Sequence, residues 1–93
     1  MKITGKQIAS ARELLGLKQT ELAAAAGVSN RTIHMFETNQ SDPYPATIAK
    51  ILAELERRGI EFTNGSGIGV RLDNAKAAEY ARSVAQAQNE TDR

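Results

Sequence analysis

The chain has 93 residues, a formal net charge of +1 and no cysteine. This length allows one small domain with a modest core and leaves no room for a separate effector-binding domain. The absence of cysteine excludes a disulfide framework and thiolate metal sites. No stretch approaches the roughly 20 apolar residues of a membrane span, and the first ten residues lack the apolar core of a secretory signal. We therefore expect a cytoplasmic protein that does not associate with membranes.

The first predicted helix covers about residues 5–15. Thr4 and Gln7 have the spacing of a capping box, in which the Thr4 hydroxyl accepts from the backbone N–H of Gln7 and the Gln7 side chain reaches back. Gly16 suits the left-handed residue that ends many helices. Local residues therefore predict both ends of this helix.

Two further short helices are predicted at residues 19–26 and 30–38, with Gly27 between them. Lys18 is a poor N-cap for helix 19–26, whereas Ser29 is a good N-cap for helix 30–38. Apolar residues lie on one side of helix 30–38. The residues that share its other, outward side are Asn30, Arg31, His34 and Met35.

The rest of the chain predicts three elements. Pro45 suits the first position of a fourth helix. Within residues 60–72, apolar and polar residues alternate on both sides of NGSG, and this pattern predicts a small β-hairpin or two edge strands. Residues 73–93 predict an appended helix that Asp73 can cap and that frays from about Asn89.

The spacing from Gln19 onward is that of a helix-turn-helix. Two short helices that cross steeply need a small residue where they approach, a residue tolerant of positive φ in the turn, and large apolar side chains where the second helix packs. The motif positions are held by Gln19, Ala23, Gly27, Ile33 and Phe36. Such a motif holds its second helix away from the body, where it can enter a major groove.

Residues 4–58 resemble the Cro and phage-repressor type of helix-turn-helix domain, the XRE family of bacterial and phage transcription regulators. The resemblance is carried by LGLKQTELAAAAGVSNRTIHMFE, the Pro-containing loop after it and the helix IAKILAEL. It implies a mainly α fold, a four- to five-helix lambda-repressor-like domain with a short C-terminal β-hairpin or strand pair and an appended helix. Residues 1–59 would form the DNA-binding domain, with its motif at 19–38. Residues 60–72 would form a β extension and candidate dimer interface, and residues 73–93 a C-terminal helix with a frayed tail.

The resemblance implies that the outward side of helix 30–38 reads DNA bases. The positions that match base-contacting residues are Asn30, Arg31 and Met35, with His34 beside them. Residue chemistry agrees, because Arg can pair with guanine, Asn with adenine, and Met can contact a thymine methyl group. The alternative is that these are ordinary surface residues and that Met35 contacts a protein.

The resemblance also implies supporting roles. The residues that match phosphate-contacting positions are Gln19, Thr32 and Thr38. Lys18 replaces the usual Ser or Thr cap and adds a phosphate-seeking charge. Arg12 and Glu37 match an ion pair that ties the first helix to the end of the recognition helix.

Two functions remain open. The first is a sequence-specific DNA-binding regulator, a repressor that binds double-stranded DNA as a homodimer, because one recognition helix reads only a few base pairs. It would be bacterial or phage-encoded and associated with the nucleoid when bound to DNA. The second is an antitoxin-like or other interaction module whose residues 73–93 bind a partner protein.

An enzyme has little support in the sequence. His34 is the only histidine and cysteine is absent, so no metal-ligand cluster or Ser/Cys–His arrangement can be assembled. The glycines of NGSGIG are interpreted as turn residues, because no Lys-Ser or Lys-Thr follows them. Glu54, Glu56, Asp73 and Glu79 are interpreted as solvent-facing helix charges. We therefore predict no catalytic residues, no cofactor and no metal.

Overall fold

The computed structural model describes residues 2–91 of the chain, and side chains through residue 88. Five helices and one two-stranded sheet follow each other in the described residues. Their bounds are α1 (Gly5–Leu15), α2 (Gln19–Ala26), α3 (Asn30–Glu37), α4 (Pro45–Arg57), β1 (Ile60–Thr63), β2 (Gly69–Leu72) and α5 (Asn74–Thr91). The predicted mainly α fold with a hairpin and an appended helix is confirmed.

Local signals place α1 as the sequence predicts. The Thr4 hydroxyl accepts from the backbone N–H of Gln7 at 3.2 Å, and Gln7 Oε1 accepts from the Thr4 backbone N–H at 2.9 Å. Gly16 ends the helix with φ of +68°. The Gln7 side-chain amide also donates to the carbonyl oxygens of Thr63 and Gly69, at 3.2 and 3.1 Å. The residue that caps α1 therefore also ties the hairpin to it.

The core lies where α1 to α4 and β1 meet. Its fully buried large side chains are Ile8, Leu22, Ile33, Ile51 and Leu55. Each such side chain contributes roughly 1.5–3 kcal/mol relative to an exposed one. The small side chain of Ala23 is buried in the middle of α2, and the left-handed Gly27, with φ of +73°, lies where α2 ends and the chain turns toward α3. These two residues have the positions that the helix-turn-helix spacing requires.

Glu54 is buried, and the prediction that it faces solvent is wrong. Its side chain is 8% exposed and accepts from Arg58 Nε at 2.6 Å and from Arg57 Nη2 at 2.8 Å. Burial raises the pKa of Glu54, but the hydrogen bonds from Arg58 and Arg57 outweigh burial and lower the pKa below its ordinary value. Arg57 is the last residue of α4 and Arg58 is its C-cap, three and four residues after Glu54, so both can neutralise a carboxylate on the core-facing side. Glu56 and Glu79 are exposed, as predicted.

The hairpin packs one side on the helices. β1 and β2 pair antiparallel, from Ile60 opposite Leu72 to Thr63 opposite Gly69. The side chains on the core side are Ile60, Phe62, Val70 and Leu72. On the other side, Glu61 forms ion pairs with Arg71 and Lys76, and these bonds lower the pKa of Glu61.

α5 is joined to the body near its start. The Asp73 carboxylate accepts from the backbone N–H of Lys76 at 3.0 Å, which is the predicted cap and lowers the pKa of Asp73. The guanidinium carbons of Arg57 and Arg58 each lie 5.0 Å from the centre of the Tyr80 ring. α5 continues through Thr91, past the predicted start of fraying at residue 89; residues 92 and 93 lie outside the described residues.

Candidate nucleic-acid interface

The second helix of the motif, α3, is held from one side and at both ends. Ile33 and Phe36 are buried in the core. At the start, the Ser29 hydroxyl accepts from the backbone N–H of Thr32 at 3.1 Å, as an N-cap does. Past the end, Asn39 adopts φ of +61°, a left-handed conformation that asparagine tolerates. The orientation of α3 is therefore set by packing and by caps rather than by its outward side.

The outward side of α3 carries the side chains predicted to contact bases. Asn30, Arg31 and His34 are exposed, and Met35 is half-buried. Among the described residues, none of these four side chains has a hydrogen-bond or ion-pair partner. Their polar groups are therefore available to an external ligand. Guanidinium and amide groups match the donor and acceptor pattern of base edges in a major groove.

A shallow cleft runs beside this surface, between α3 and the start of α4. Arg31 and Met35 line one wall, and Tyr44 and Thr47 line the other. Tyr44 is 84% exposed and occupies the N-cap position of α4. The sequence interpretation gave it no role. The sequence does contain a signal for it, because a large aromatic residue in a polar loop just before a helix is not expected to be buried in the core.

Lys18 and Gln19 lie at the start of α2 and differ in what they contact. Lys18 is exposed, and its backbone N–H donates to the Glu21 carboxylate at 2.8 Å, which is one half of a capping box. The lysine side chain has no acceptor and cannot supply the other half. Gln19 Nε2 donates to Glu37 Oε1 at 3.1 Å. Gln19 therefore connects the start of α2 to the last residue of α3. Lys18 adds a cation beside the positive end of the α2 dipole.

The two threonines predicted to contact phosphates differ in the availability of their protons. The Thr38 hydroxyl donates to the His34 carbonyl oxygen at 2.8 Å and accepts from Gln40 Nε2 at 2.8 Å. The Thr32 and Ser29 hydroxyls share a bond of 2.8 Å in which either can donate. Thr32 therefore has a free proton when Ser29 donates, whereas the Thr38 proton is already used. The amide of Gln40 keeps a second N–H beside Thr38, a donor that the sequence interpretation missed.

Arg12 and Glu37 form a two-point ion pair between α1 and the end of α3. Arg12 Nε and Nη2 each lie 2.9 Å from a Glu37 carboxylate oxygen, and Arg12 Nη1 donates to the Leu17 carbonyl oxygen at 2.9 Å. The Glu37 side chain is 5% exposed. The hydrogen bonds to Glu37 raise the pKa of Arg12. The pair is internal to the fold, so its contribution to the candidate nucleic-acid interface is the placement of α3.

The fold places the predicted contact residues at the start of α2, along α3 and at the residue that follows α3. The hairpin and α5 carry none of them. Residues 2–91 include no group of three or more His, Cys, Asp or Glu side chains placed to hold a metal ion. No helix within the same residues is both long enough and apolar enough to cross a membrane.

Similarity to known proteins is concentrated in this region. A protein-family model described as helix-turn-helix matches residues 8–62, which is more than half of the chain. The match begins inside α1 and ends inside β1, so it contains the whole motif and leaves out β2 and α5. No curated protein matches the chain.

Proposed function

The chain belongs to the XRE, Cro and lambda-repressor type of helix-turn-helix family, whose members are DNA-binding transcription regulators, and from this premise we propose that it is a sequence-specific repressor. Its ligand is double-stranded operator DNA, bound by a homodimer that inserts one α3 per protomer into the major groove. Repression follows because an occupied operator excludes polymerase from an overlapping promoter. The site of action is the cytoplasm of a bacterium or of a phage-infected cell, at the nucleoid.

The outward side of α3 is the observation that carries the proposal. Arg31 is exposed without a partner in the described residues, so its guanidinium can form a bidentate pair with guanine. Asn30 can pair with adenine, and Met35 can contact a thymine methyl group. His34, exposed one turn after Asn30, is the fourth base-contacting residue of the proposal. Each good bidentate pair discriminates against a wrong base by about 1–3 kcal/mol.

Phosphate contacts would flank this reading surface. Lys18 and Gln19 are assigned to one strand, because they lie at the start of α2, whose dipole favours an anion. Thr32 is assigned through its hydroxyl. At the end of α3, Thr38 and Gln40 act together, with the Gln40 N–H as donor because the Thr38 proton is engaged.

The exposed edge of β2 supports a homodimer through the hairpin. Asp73 donates its N–H to the Gly59 carbonyl oxygen at 2.8 Å, and the strand pairing continues in the same register. Because hydrogen-bonded pairs alternate along an antiparallel ladder, the backbone groups of Val70 and Leu72 point away from β1. A partner strand could not pair with the outer edge of β1 in the same way, because Ile60 on that strand is buried. A second copy of β2 could therefore pair antiparallel across a two-fold axis.

Apolar side chains beside this edge favour the same interface. Leu14 on α1 is exposed, and with Val70 it lines a shallow depression between α1 and β2. A partner strand on β2 would cover both side chains. Two protomers joined in this way would present two α3 helices, as two half-sites about 34 Å apart require.

DNA reading is tested by selection from a randomised duplex pool, followed by fluorescence-anisotropy titration of the selected duplex over a range of salt concentrations. We expect an inverted repeat. Arg31→Ala should weaken binding about tenfold or more and relax one base position in each half-site. The matched control is Arg82→Ala, an exposed arginine on α5, which should bind as the natural protein does. Absence of any enriched sequence, with weak binding that salt abolishes, would overturn the proposal.

The dimer is tested by size-exclusion light scattering of the full chain. The chain mass is 10.0 kDa, and we expect twice that mass at micromolar concentration. Leu14→Lys should return the mass toward that of one chain, because a desolvated lysine at the interface is costly while the side chain is exposed in the monomer. A monomeric mass for the natural protein at the concentration that binds DNA would contradict the dimer.

The exposure of α5 favours a second candidate, a partner protein bound through residues 73–93, as in an antitoxin-like module. From Ala81 to Gln88, every described side chain except Val84 is exposed. Hydrogen exchange of the isolated full chain tests this candidate. Exchange of the amides beyond Tyr80 at unfolded rates would support a segment ordered by a partner. Protection equal to that of α4 would count against it.

A further inference from the structure

A cavity of about 540 Å³ opens between the start of α1, the end of α3 and the start of β2. A volume of this size is typical of sites for small molecules. We propose that this cavity binds a small apolar monocarboxylate and that its occupancy changes the affinity of the protein for DNA. The first part concerns the cavity alone, and the second part rests on the proposed function.

Most polar groups in the wall are already paired, which makes the wall effectively apolar. The Gln7 side chain bonds the Thr4 backbone and the hairpin. The Glu37 carboxylate is neutralised by Arg12 and also accepts from Gln19. Because these groups are satisfied inside the protein, a ligand does not have to provide partners for them.

Among the described residues, the lining side chains without a partner are Lys6, Ser10 and Asn39, that is, one cation and two neutral groups that can donate, and this set favours a ligand with one anionic end. Lys6 and Ser10 line the cavity on α1, and within the described residues neither side chain has a partner. Lys6 lies in the first turn of α1, where the helix dipole adds to its positive charge. The one acidic side chain in the lining, Glu37, is held in its ion pair. A carboxylate is therefore favoured over an ammonium group at this wall.

The opposite wall selects an apolar body. Ile68 is 65% exposed and lines the cavity next to Val70. Covering an exposed isoleucine with an apolar group removes that surface from water, at roughly 25 cal/mol for each Å² buried. A ligand with a carboxylate near Lys6 and an apolar part against Ile68 would satisfy both walls.

The cavity also touches the element that is proposed to read DNA. Glu37 and Asn39, at the end of α3, are part of its lining. The backbone of α1 at Gly5 lies directly against the Phe36 carbonyl group, so closely that a Cβ at Gly5 would overlap it. α1 and α3 are therefore in direct backbone contact at this point. A molecule in the cavity contacts the start of α1 and the end of α3, so a ligand that binds one relative position of the two helices better than another would change the angle at which α3 meets a groove.

The binding test is a two-dimensional 1H–15N NMR titration of the full chain with 2-naphthylacetate. The uncharged 2-naphthylethanol and the cationic 2-naphthylethylamine serve as matched probes of similar size. We expect saturable shifts at Ser10, Asn39 and Ile68, with the carboxylate binding more tightly than either matched probe. Lys6→Glu should weaken the carboxylate about fivefold or more while leaving the alcohol unchanged. Ser10→Phe, which fills the cavity from an exposed helix position, should remove the shifts for all three probes.

Three results would overturn the site. One is the lack of saturable shifts at millimolar probe; another is shifts that persist in Ser10→Phe. The third is chemical shifts at Asn39 and Ile68 that follow protein concentration without probe in Leu14→Lys, in which the proposed dimer is broken; they would mean that a second copy of the chain covers the cavity in another way.

The regulatory part is measured separately, by anisotropy titration of the selected duplex with and without saturating 2-naphthylacetate. We expect a change in the apparent Kd of about fivefold or more, absent in Ser10→Phe. Specific DNA binding that is unchanged by a probe bound in the cavity would overturn the coupling. Failure of the ligand-free protein to select any duplex would instead overturn the proposed function and leave the NMR result intact.

Discussion

α3 and α5 both expose one side to solvent, but they are attached to the domain in different ways. α3 has 8 residues, two buried apolar side chains and a two-point ion pair at its last residue. α5 has 18 residues, and the ion pairs, aromatic contacts and close backbone contact described for its side chains through residue 88 lie within residues 73–80. Burial and anchoring at both ends, rather than helix length, therefore determine how precisely an outward side is positioned. The short helix is the one suited to base reading.

The largest expected effect comes from removing the ion pair at the end of α3. Arg12→Ala would leave the Glu37 carboxylate buried with Gln19 as its remaining side-chain donor. We expect a loss of roughly 3–5 kcal/mol in the free energy of unfolding. The control is Lys2→Ala, which removes an exposed ion pair with Asp42 at 3.8 Å and should change stability by less than about 1 kcal/mol. Urea unfolding measures both; equal effects would mean that α3 is not held by this pair.

The next effect tests the close packing of α1 against α3. Gly5→Ala improves helix propensity but places a Cβ on the Phe36 carbonyl group, so the two helices must separate. We expect a loss of about 1–3 kcal/mol together with weaker DNA binding. Gly65→Ala is the matched control, because a Cβ there meets no atom within 4 Å. Gly5→Ala at natural stability would show that the contact between α1 and α3 is adaptable.

A smaller effect is expected at Glu54, which holds the two arginines that contact α5. Because the folded pKa of Glu54 lies below its ordinary value of 4.5, its stabilisation is complete above that pH and is lost as the pH falls through the folded pKa. Glu54→Gln should therefore cost about 2 kcal/mol at pH 7 and less at pH 3, which lies below the ordinary pKa. Urea midpoints of both proteins at the two pH values measure this. A difference that does not depend on pH would exclude the charge as its cause.

The smallest effect is expected for Tyr80→Ala. The Tyr80 ring lies against two arginines at a partly exposed site, where each such contact contributes about 0.5–1 kcal/mol. We expect global stability to fall by about 1 kcal/mol, while hydrogen exchange of α5 increases strongly and that of α3 does not change. A loss of stability as large as that of Arg12→Ala would contradict the conclusion that α5 is attached to the domain less firmly than α3.

Residues within a few positions of each other predicted the helix ends. The Thr4 and Gln7 capping box, the Ser29 cap and the left-handed Gly27 all appear where the sequence predicts them. Each depends on bonds between a side chain and the backbone three or four residues away, or on the φ of one residue. Such interactions are present in the linear pattern, so they can be inferred before the fold is known.

The candidate site was predicted less completely. The free outward side of α3 follows from helical periodicity, and its four predicted residues carry no internal partner in the described part of the chain. The engaged hydroxyl of Thr38 and the donor of Gln40 were missed although their bonds span only four and two residues, because such side chains at a helix end can equally bond water. The exposed ring of Tyr44 did not follow, because it depends on the conformation of the loop after α3. Loop conformation is set by packing against other elements rather than by a repeating pattern.

By itself, the sequence determined the helix-turn-helix spacing, the caps and the side of α3 that faces away from the core. The tertiary structure alone decided that Glu54 is buried between two arginines, that Gln7 joins α1 to the hairpin, and that Gly5 lies against the Phe36 backbone. The physical reason is the range of the interactions. Helix caps and periodic faces are encoded over one or two turns, whereas burial and close backbone contact depend on which distant element covers a residue.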